Sequence, residues 1–224
     1  LSEGALPITR IAELCQSFSM PAVGISDNNN MFGALEFSEQ IAKVGVQPIL
    51  GCNIKIKTPK EYLHENIEDN DLYFYLNIFS KNNEGYENLL KCVSNAYTLN
   101  KGNACVTVDD LIKLKEGLII LSGGNNSILT HSTGHMITKQ SQQFISDFKK
   151  EFNDNFYIEI QRFGSVDYRL NEEAVLNLAY DYQIPLVATN DAYFEGPEHF
   201  EAHDALMCIE KKLYVSQADR TRLS

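Results

Sequence analysis

The chain has 224 residues, 44% of them hydrophobic and 22% charged, which is ordinary globular composition and enough for one large domain or two small ones at roughly 150 residues each. Its 19 Lys and Arg against 30 Asp and Glu leave a net charge of −11, which argues against a surface that grips nucleic acid by itself, because phosphate binding rests on clustered cations. No apolar run reaches the ~18 residues of a membrane span, Glu3, Arg10 and Glu13 speak against a signal peptide, and five cysteines without a CxxC pair read as reduced thiols of a cytoplasmic protein.

Ile11, Leu14, Cys15 and Phe18 fall at helical spacing and predict a helix over 8–19, broken by Met20-Pro21. Ala22 to Ile25 is a short buried strand ending in Ser26-Asp27. Leu35, Phe37, Ile41 and Val44 mark a second helix stopped by Gly45. Pro48 to Cys52 is the next strand, ending at Asn53. The polar stretch Pro59–Asp71 reads as an exposed loop, and Leu72–Phe79 as a strand rich in aromatic residues. Tyr86, Leu89, Leu90, Val93 and Tyr97 form a strong helical stripe. Gly117–Leu121 is a strand closing in Ser122-Gly123-Gly124. A loop or weak helix follows over 125–140, then a helix over 141–151, a strand Phe156–Gln161, a helix over 168–182, a strand Pro185–Ala188 and a last helix over 198–210. The alternation, without an internal repeat, predicts an α/β domain with a mostly parallel sheet. An opening Leu-Ser-Glu in place of Met predicts a piece of a longer polypeptide.

The predicted strands end in polar residues: Asp27, Asn53, Ser122, Arg162 and Asp191. In barrels of this type the C-terminal strand ends form the active-site face, so Asp27, Asn28, Asn53, Tyr75, Gly124, Arg162, Asp191 and Tyr193 are the candidates for a site. A hydrolytic metal centre needs several His and carboxylates converging there; this set has two carboxylates and no histidine. His131 and His135, and His199 and His203, share an i, i+4 spacing, but the first pair lacks the acid of a zinc-protease helix and the second lies on a late helix. The first pair reads as loop residues and the second as packing or capping residues. His64 stands alone in a loop. No Ser lies in a GxSxG frame. Ser122-Gly123-Gly124-Asn125 could cradle an anion or simply make a tight turn, Asp191 could be a base, a ligand or a helix cap, and the cysteines fall in apolar stripes as core residues.

Several motifs occur in a telling order: Glu3-Gly4-Ala5, Met20-Pro21-Ala22-Val23, Ser26-Asp27-Asn28-Asn29-Asn30-Met31-Phe32-Gly33, Pro48-Ile49-Leu50-Gly51-Cys52, Lys81-Asn82-Asn83-Glu84-Gly85-Tyr86-Glu87-Asn88-Leu89, Gly117–Gly123 and Val187-Ala188-Thr189-Asn190-Asp191. Together they resemble the N-terminal PHP (polymerase and histidinol phosphatase) domain of bacterial DNA polymerase III alpha subunits, over essentially the whole chain. The resemblance implies a distorted seven-stranded β/α barrel, TIM-like, over 1–212, with its first strand upstream of Leu1, where metal-binding members carry a His-x-His pair. Residues 213–224 would begin the connection to a polymerase body.

The departures from the family's metal motifs are numerous. Glu3 and Asp191 match acidic positions, and Asp27 a third. Asn28 stands where the family has His, Asn53 where it has Glu, Tyr75 where it has His and Gly124 where it has Cys. Phe163 and Tyr193 also replace His. Losses on this scale remove the shell a metal cluster requires, so the set reads as a vestigial metal site with no metal and no catalytic residue in these 224 residues, the aromatic replacements filling the old cavity. The resemblance then implies a non-catalytic structural and docking domain for the proofreading exonuclease subunit within the polymerase III holoenzyme. DNA and Mg2+ would be held by the rest of the subunit, in the cytoplasm, with no membrane contact. The alternative is a metal-dependent phosphoesterase or 3′–5′ exonuclease with an altered ligand set. A stand-alone sugar-phosphate or histidinol-phosphate hydrolase is disfavoured by the polymerase-like motifs at 84–89 and 188–191.

Overall fold

The computed structural model describes residues 4–63, 72–99, 102–124, 127–129, 138–162, 166–217, 219, 220 and 222, with the backbone alone over 166–171. In chain order the elements are α1 (Ile8–Ser17), β1 (Ala22–Asn28), α2 (Ala34–Lys43), β2 (Gln47–Lys57), β3 (Tyr73–Ser80), α3 (Asn83–Thr98), β4 (Val106–Thr107), α4 (Val108–Lys113), β5 (Leu118–Leu121), α5 (Lys139–Phe152), β6 (Phe156–Gln161), α6 (Val166–Asp181), β7 (Leu186–Thr189) and α7 (Phe200–Lys211). The strands form a sheet in the order β1-β2-β3-β5-β6-β7, with β4 pairing the far end of β2.

The sheet is more mixed than the alternation predicts. β1 and β2, β5 and β6, and β6 and β7 are parallel, but β3 runs antiparallel to both β2 and β5. The long connection after Lys57 returns at the same end of the sheet, so β3 begins where β2 finishes. Tyr75, near the start of β3, therefore lies opposite Lys55, near the end of β2. The sheet also curls. Ser26 on β1 donates from Oγ to Asn77 Oδ1 on β3 at 3.0 Å, across the intervening β2. That reach passes over Gly51, whose missing β-carbon would stand 2.3 Å from the Phe79 ring.

The pleat divides each strand between a helix-covered face and the inside of the curl. On the outer side Cys52, Ile54, Ile56, Phe74, Leu76, Ile78, Leu118, Ile120, Phe156 and Ile158 pack with Leu89 and Cys92 of α3 and with Phe144, Ile145, Phe148 and Phe152 of α5. A second cluster seats α1 and α2 on β1 and the start of β2, through Ala12, Cys15, Phe37, Ile41 and Val46 with Val23, Ile25 and Leu50 beside them. All five cysteines are buried, and none is joined to another in a disulfide. Burial pushes the Cys52 and Cys92 thiols up to about 12, which makes them core residues, as the apolar stripes predict.

Three expectations need correction. β1 and β2 run on to Asn28 and Lys57, because Ile54 and Ile56 continue the alternation past the polar Asn53. The 58–63 stretch is not wholly exposed: Tyr62, in a short 3-10 turn, is buried and donates its hydroxyl to Asp147 at 2.8 Å. β4 and α4 occupy a region the hydrophobic pattern leaves blank. Their signal is a cap: the Thr107 hydroxyl accepts from Asp110 N and donates to the Asp110 carboxylate, and two acids fill the first turn. Thr107→Ala is expected to lower stability by about 1 kcal/mol, read as a shift in the urea midpoint. Residues 64–71, and most of the predicted 125–140 loop, lie outside the described residues, as do His64, His131 and His135.

Candidate functional site

The run Asp27-Asn28-Asn29-Asn30 ends β1 and holds the mouth of the curl. Asn28 and Asn53 are ladder partners, and their side chains meet, Asn53 Nδ2 donating to Asn28 Oδ1 at 2.7 Å. Asn29 carries φ 50°, a left-handed conformation that Asn tolerates better than most residues. Its amide hydrogen bonds to Asn53 O, its side-chain oxygen accepts from Lys55 N at 2.9 Å, its side-chain nitrogen donates to Ala104 O, and its carbonyl accepts from the Tyr97 hydroxyl. Asn30 closes the turn back onto Asn28 O and accepts from Phe32 N. Asn29 was no site candidate from sequence, and only the density of Asn in that run marks it. Asp27 departs from expectation. Alternation turns it to the outer face with Ile25, where a β-carbon on Gly33 would lie 3.4 Å from Asp27 Oδ2, and burial raises its carboxyl above the ordinary range. It does not join Asn28 inside the curl.

Beyond β7, Tyr193 donates its hydroxyl to Asp191 Oδ2 at 2.7 Å. The Tyr193 ring leans against His203, which is buried on α7 and also packs on Phe194 at 5.0 Å between centroids. His203 thus takes the packing role the sequence suggests, while His199 stays half-exposed beside Glu198. Arg162 pairs with Glu172. The Ser122-Gly123-Gly124 turn is a tight turn. Gly123 and Gly124 have φ 97° and 52°, and a β-carbon on Gly123 would fall 2.0 Å from Tyr75 O. At Gly124 the space is already taken, with Gln161 Oε1 2.1 Å from where a β-carbon would sit.

The residue that organises the interior was not among the candidates. Glu159, in the middle of β6, is 2% exposed. Its carboxylate accepts from Asn77 Nδ2 at 3.0 and 2.9 Å, from Gly123 N at 3.2 Å, from Gln161 Nε2 at 3.1 Å and from Thr189 Oγ1 at 2.5 Å. Its own amide donates to Ser122 Oγ at 3.0 Å. Burial raises the carboxyl above its ordinary range, with Thr189, Asn77 and Gly123 pulling the other way and Asp191 adding to the rise. A charged residue flanked by Ile158 and Ile160 on a central strand is the sequence signal that marks it.

These residues do not fit a metal cluster. Asn28 and Asp191 already accept hydrogen bonds from Asn53 and Tyr193, and Gly124 offers no side chain. Among the described residues no three His, Cys, Asp or Glu gather around one point. Asn53 Oδ1 is buried without a hydrogen-bond partner in the mouth, but one neutral amide oxygen is a small fraction of the six to eight oxygens, or the several carboxylates and imidazoles, that hold an ion. Glu3 and Phe163 lie outside the described residues.

Comparison with known proteins bears on this geometry. The chain is 35% identical to the DNA polymerase III subunit alpha of Caulobacter vibrioides over 230 residues, covering 100% of this chain and 20% of that protein. It is 34% identical to that of Rickettsia felis, covering 99% of this chain and 18% of the relative. The chain therefore spans about a fifth of the length of the curated relatives it matches. Among solved structures, a proposed metal-dependent phosphoesterase from Bifidobacterium adolescentis superposes with a TM-score of 0.54 at 12% identity, over 87% of this chain and 85% of the other. An amidohydrolase from Chromobacterium violaceum gives the same score and identity over 87% and 84%. That likeness shows the fold, a curled α/β barrel-like sheet. No helix among the described residues is long and apolar enough to cross a membrane. The model of the PHP domain matches residues 1–163, well over half of the sequence, and the chain belongs to that family.

Proposed function

We propose that this chain is the PHP region of the alpha subunit of a replicative DNA polymerase III. It acts there as a non-catalytic structural and docking domain for the proofreading exonuclease subunit and carries no metal of its own. The observation that supports this most directly is the Asn28–Asn53 pair, because two positions where the family places metal ligands are neutral amides bonded to each other. Identity to DNA polymerase III alpha subunits over the length of the chain supports the parent protein. The carboxylates that bind Mg2+ for nucleotide addition then belong to the rest of the subunit, which also grips DNA and meets the other holoenzyme subunits in the cytoplasm. A net charge of −11 suits a protein-binding surface better than a DNA-binding one.

The test uses the full-length subunit. Elemental analysis after incubation with zinc and desalting is expected to give far less than one zinc per chain. The purified exonuclease subunit is expected to co-sediment with it in the presence of EDTA. Stoichiometric zinc, together with metal-dependent release of nucleotides from a single-stranded 3′ end when the exonuclease subunit is absent, would replace this reading with that of a phosphoesterase or 3′–5′ exonuclease with an altered ligand set.

A further inference from the structure

Side chains of β3, β6 and β7 and a backbone amide just beyond β5 meet at one buried carboxylate, and β1 reaches it through Asn77. Ser26 on β1 donates to Asn77 on β3, and Asn77 donates to both oxygens of Glu159 on β6. Thr189 on β7 and Gln161 on β6 donate to Oε1, and Gly123, just beyond β5, donates its amide to Oε2. Gln161 also donates to Thr189 Oγ1 at 3.2 Å. Every group facing the carboxylate in this set is a donor, the pattern an ionised, acceptor-only side chain satisfies. β5 and β6 share only two ladder positions, Ile120 with Phe156 and Leu121 with Tyr157, and β7 is four residues long.

We propose that Glu159 is the positioning residue of the barrel mouth, an internal anion that sets where β5, β6 and β7 end and hence where Gly123–Gly124 and Asp191–Tyr193 stand. A metal cluster would link strand ends by taking several ligands onto one cation. Here the signs are inverted, with neutral donors from several strands converging on one anion. The consequence is that mouth geometry depends on residue 159 and not on divalent metal.

The experiment is hydrogen exchange on the full chain, with thermal melting alongside. Glu159→Leu removes the shared acceptor and strands the donors of Asn77, Gly123, Gln161 and Thr189. Exchange at Gly123 and along 186–189 is expected to accelerate at least about tenfold, with α2 amides little changed as an internal reference, and the midpoint to fall by roughly 10 °C. EDTA is expected to leave wild-type exchange unaltered. Should Glu159→Leu fail to fold, Asn77→Ala and Thr189→Val decide the matter as a pair. Both donate to the same carboxylate, so their combined effect on the unfolding constant is expected to depart about tenfold from the product of the single effects. Protection at Gly123 and β7 unchanged by Glu159→Leu, multiplicative effects of the pair, or mouth exchange that accelerates on adding EDTA would each overturn the proposal.

Discussion

Replacing Phe144 with alanine is expected to destabilise the fold by about 4 kcal/mol, a drop of roughly 10 °C in melting midpoint for a domain of this size. Phe144 sits on the inner face of α5, fully buried. Its ring lies 4.3 Å from that of Phe148, 5.5 Å from Phe74, 5.8 Å from Tyr62 and 6.1 Å from Phe156, centroid to centroid. One side chain thus joins α5 to β3, to β6 and to the 60–62 turn. Its removal leaves a cavity ringed by four aromatic groups too bulky to collapse into it, which places the cost toward the upper end for such truncations. Phe144→Leu keeps most of the volume and is expected to cost under about 1.5 kcal/mol. Tyr180→Ala, at a side chain 84% exposed, is expected to stay within about 0.5 kcal/mol of wild type. Equilibrium urea titrations of the three variants provide the check, and a Phe144→Ala midpoint equal to that of Tyr180→Ala would show that α5 is not seated as described.

Gly85→Ala is expected to be nearly as damaging, about 3 kcal/mol, for a different reason. Gly85 lies in the first turn of α3, where Asn82 caps its amide at 2.8 Å. A β-carbon there would fall 1.9 Å from Gly117 O. That carbonyl is not free to move, since it accepts from Lys81 N at 2.8 Å, and the preceding Glu116 O accepts from Asn88 Nδ2 at 2.9 Å. The Asn82-to-Asn88 motif is therefore a docking plate for the turn that enters β5, and its glycine is demanded by backbone contact. Gly45→Ala supplies the contrast: φ is 77° and nothing lies within 4 Å, so only the left-handed conformation is penalised, at about 1 kcal/mol. The difference between the two variants in urea unfolding measures the contact. Equal effects would mean that the α3–β5 approach is looser than 1.9 Å implies.

Much of the fold was legible because hydrophobic spacing and strand alternation carry it. The stripe Leu89, Val93 and Tyr97, and the runs at 118–121 and 156–161, all became the predicted elements. The direction of β3 was not legible. Strand polarity depends on which end of the sheet a connection returns to, and the 58–72 connection carries no periodicity that reports this. α4 was missed because six residues are too few for a stripe, and its cap is a local signal that only geometry confirms. At the strand ends the structure shows local pairs rather than one assembled centre. Asn28 pairs with Asn53, Tyr193 with Asp191, and Gly124 abuts Gln161. Asp27 went to the other face because the pleat counts residues regardless of chemistry. Glu159 is not legible because a buried carboxylate in mid-strand announces itself only through the donors that three-dimensional structure brings to it.

The contact between Gly124 and Gln161 couples what the two positions can be. The amide of Gln161 occupies the volume where a side chain at 124 would begin, and residue 124 has φ 52°. Gln161 in turn donates to Glu159 and Thr189. A side chain introduced at 124 alone would meet a clash and backbone strain together. Changing Gln161 first would sacrifice two hydrogen bonds before any benefit existed. A side chain at 124 therefore requires a simultaneous change at 161, and packing locks the two positions to each other.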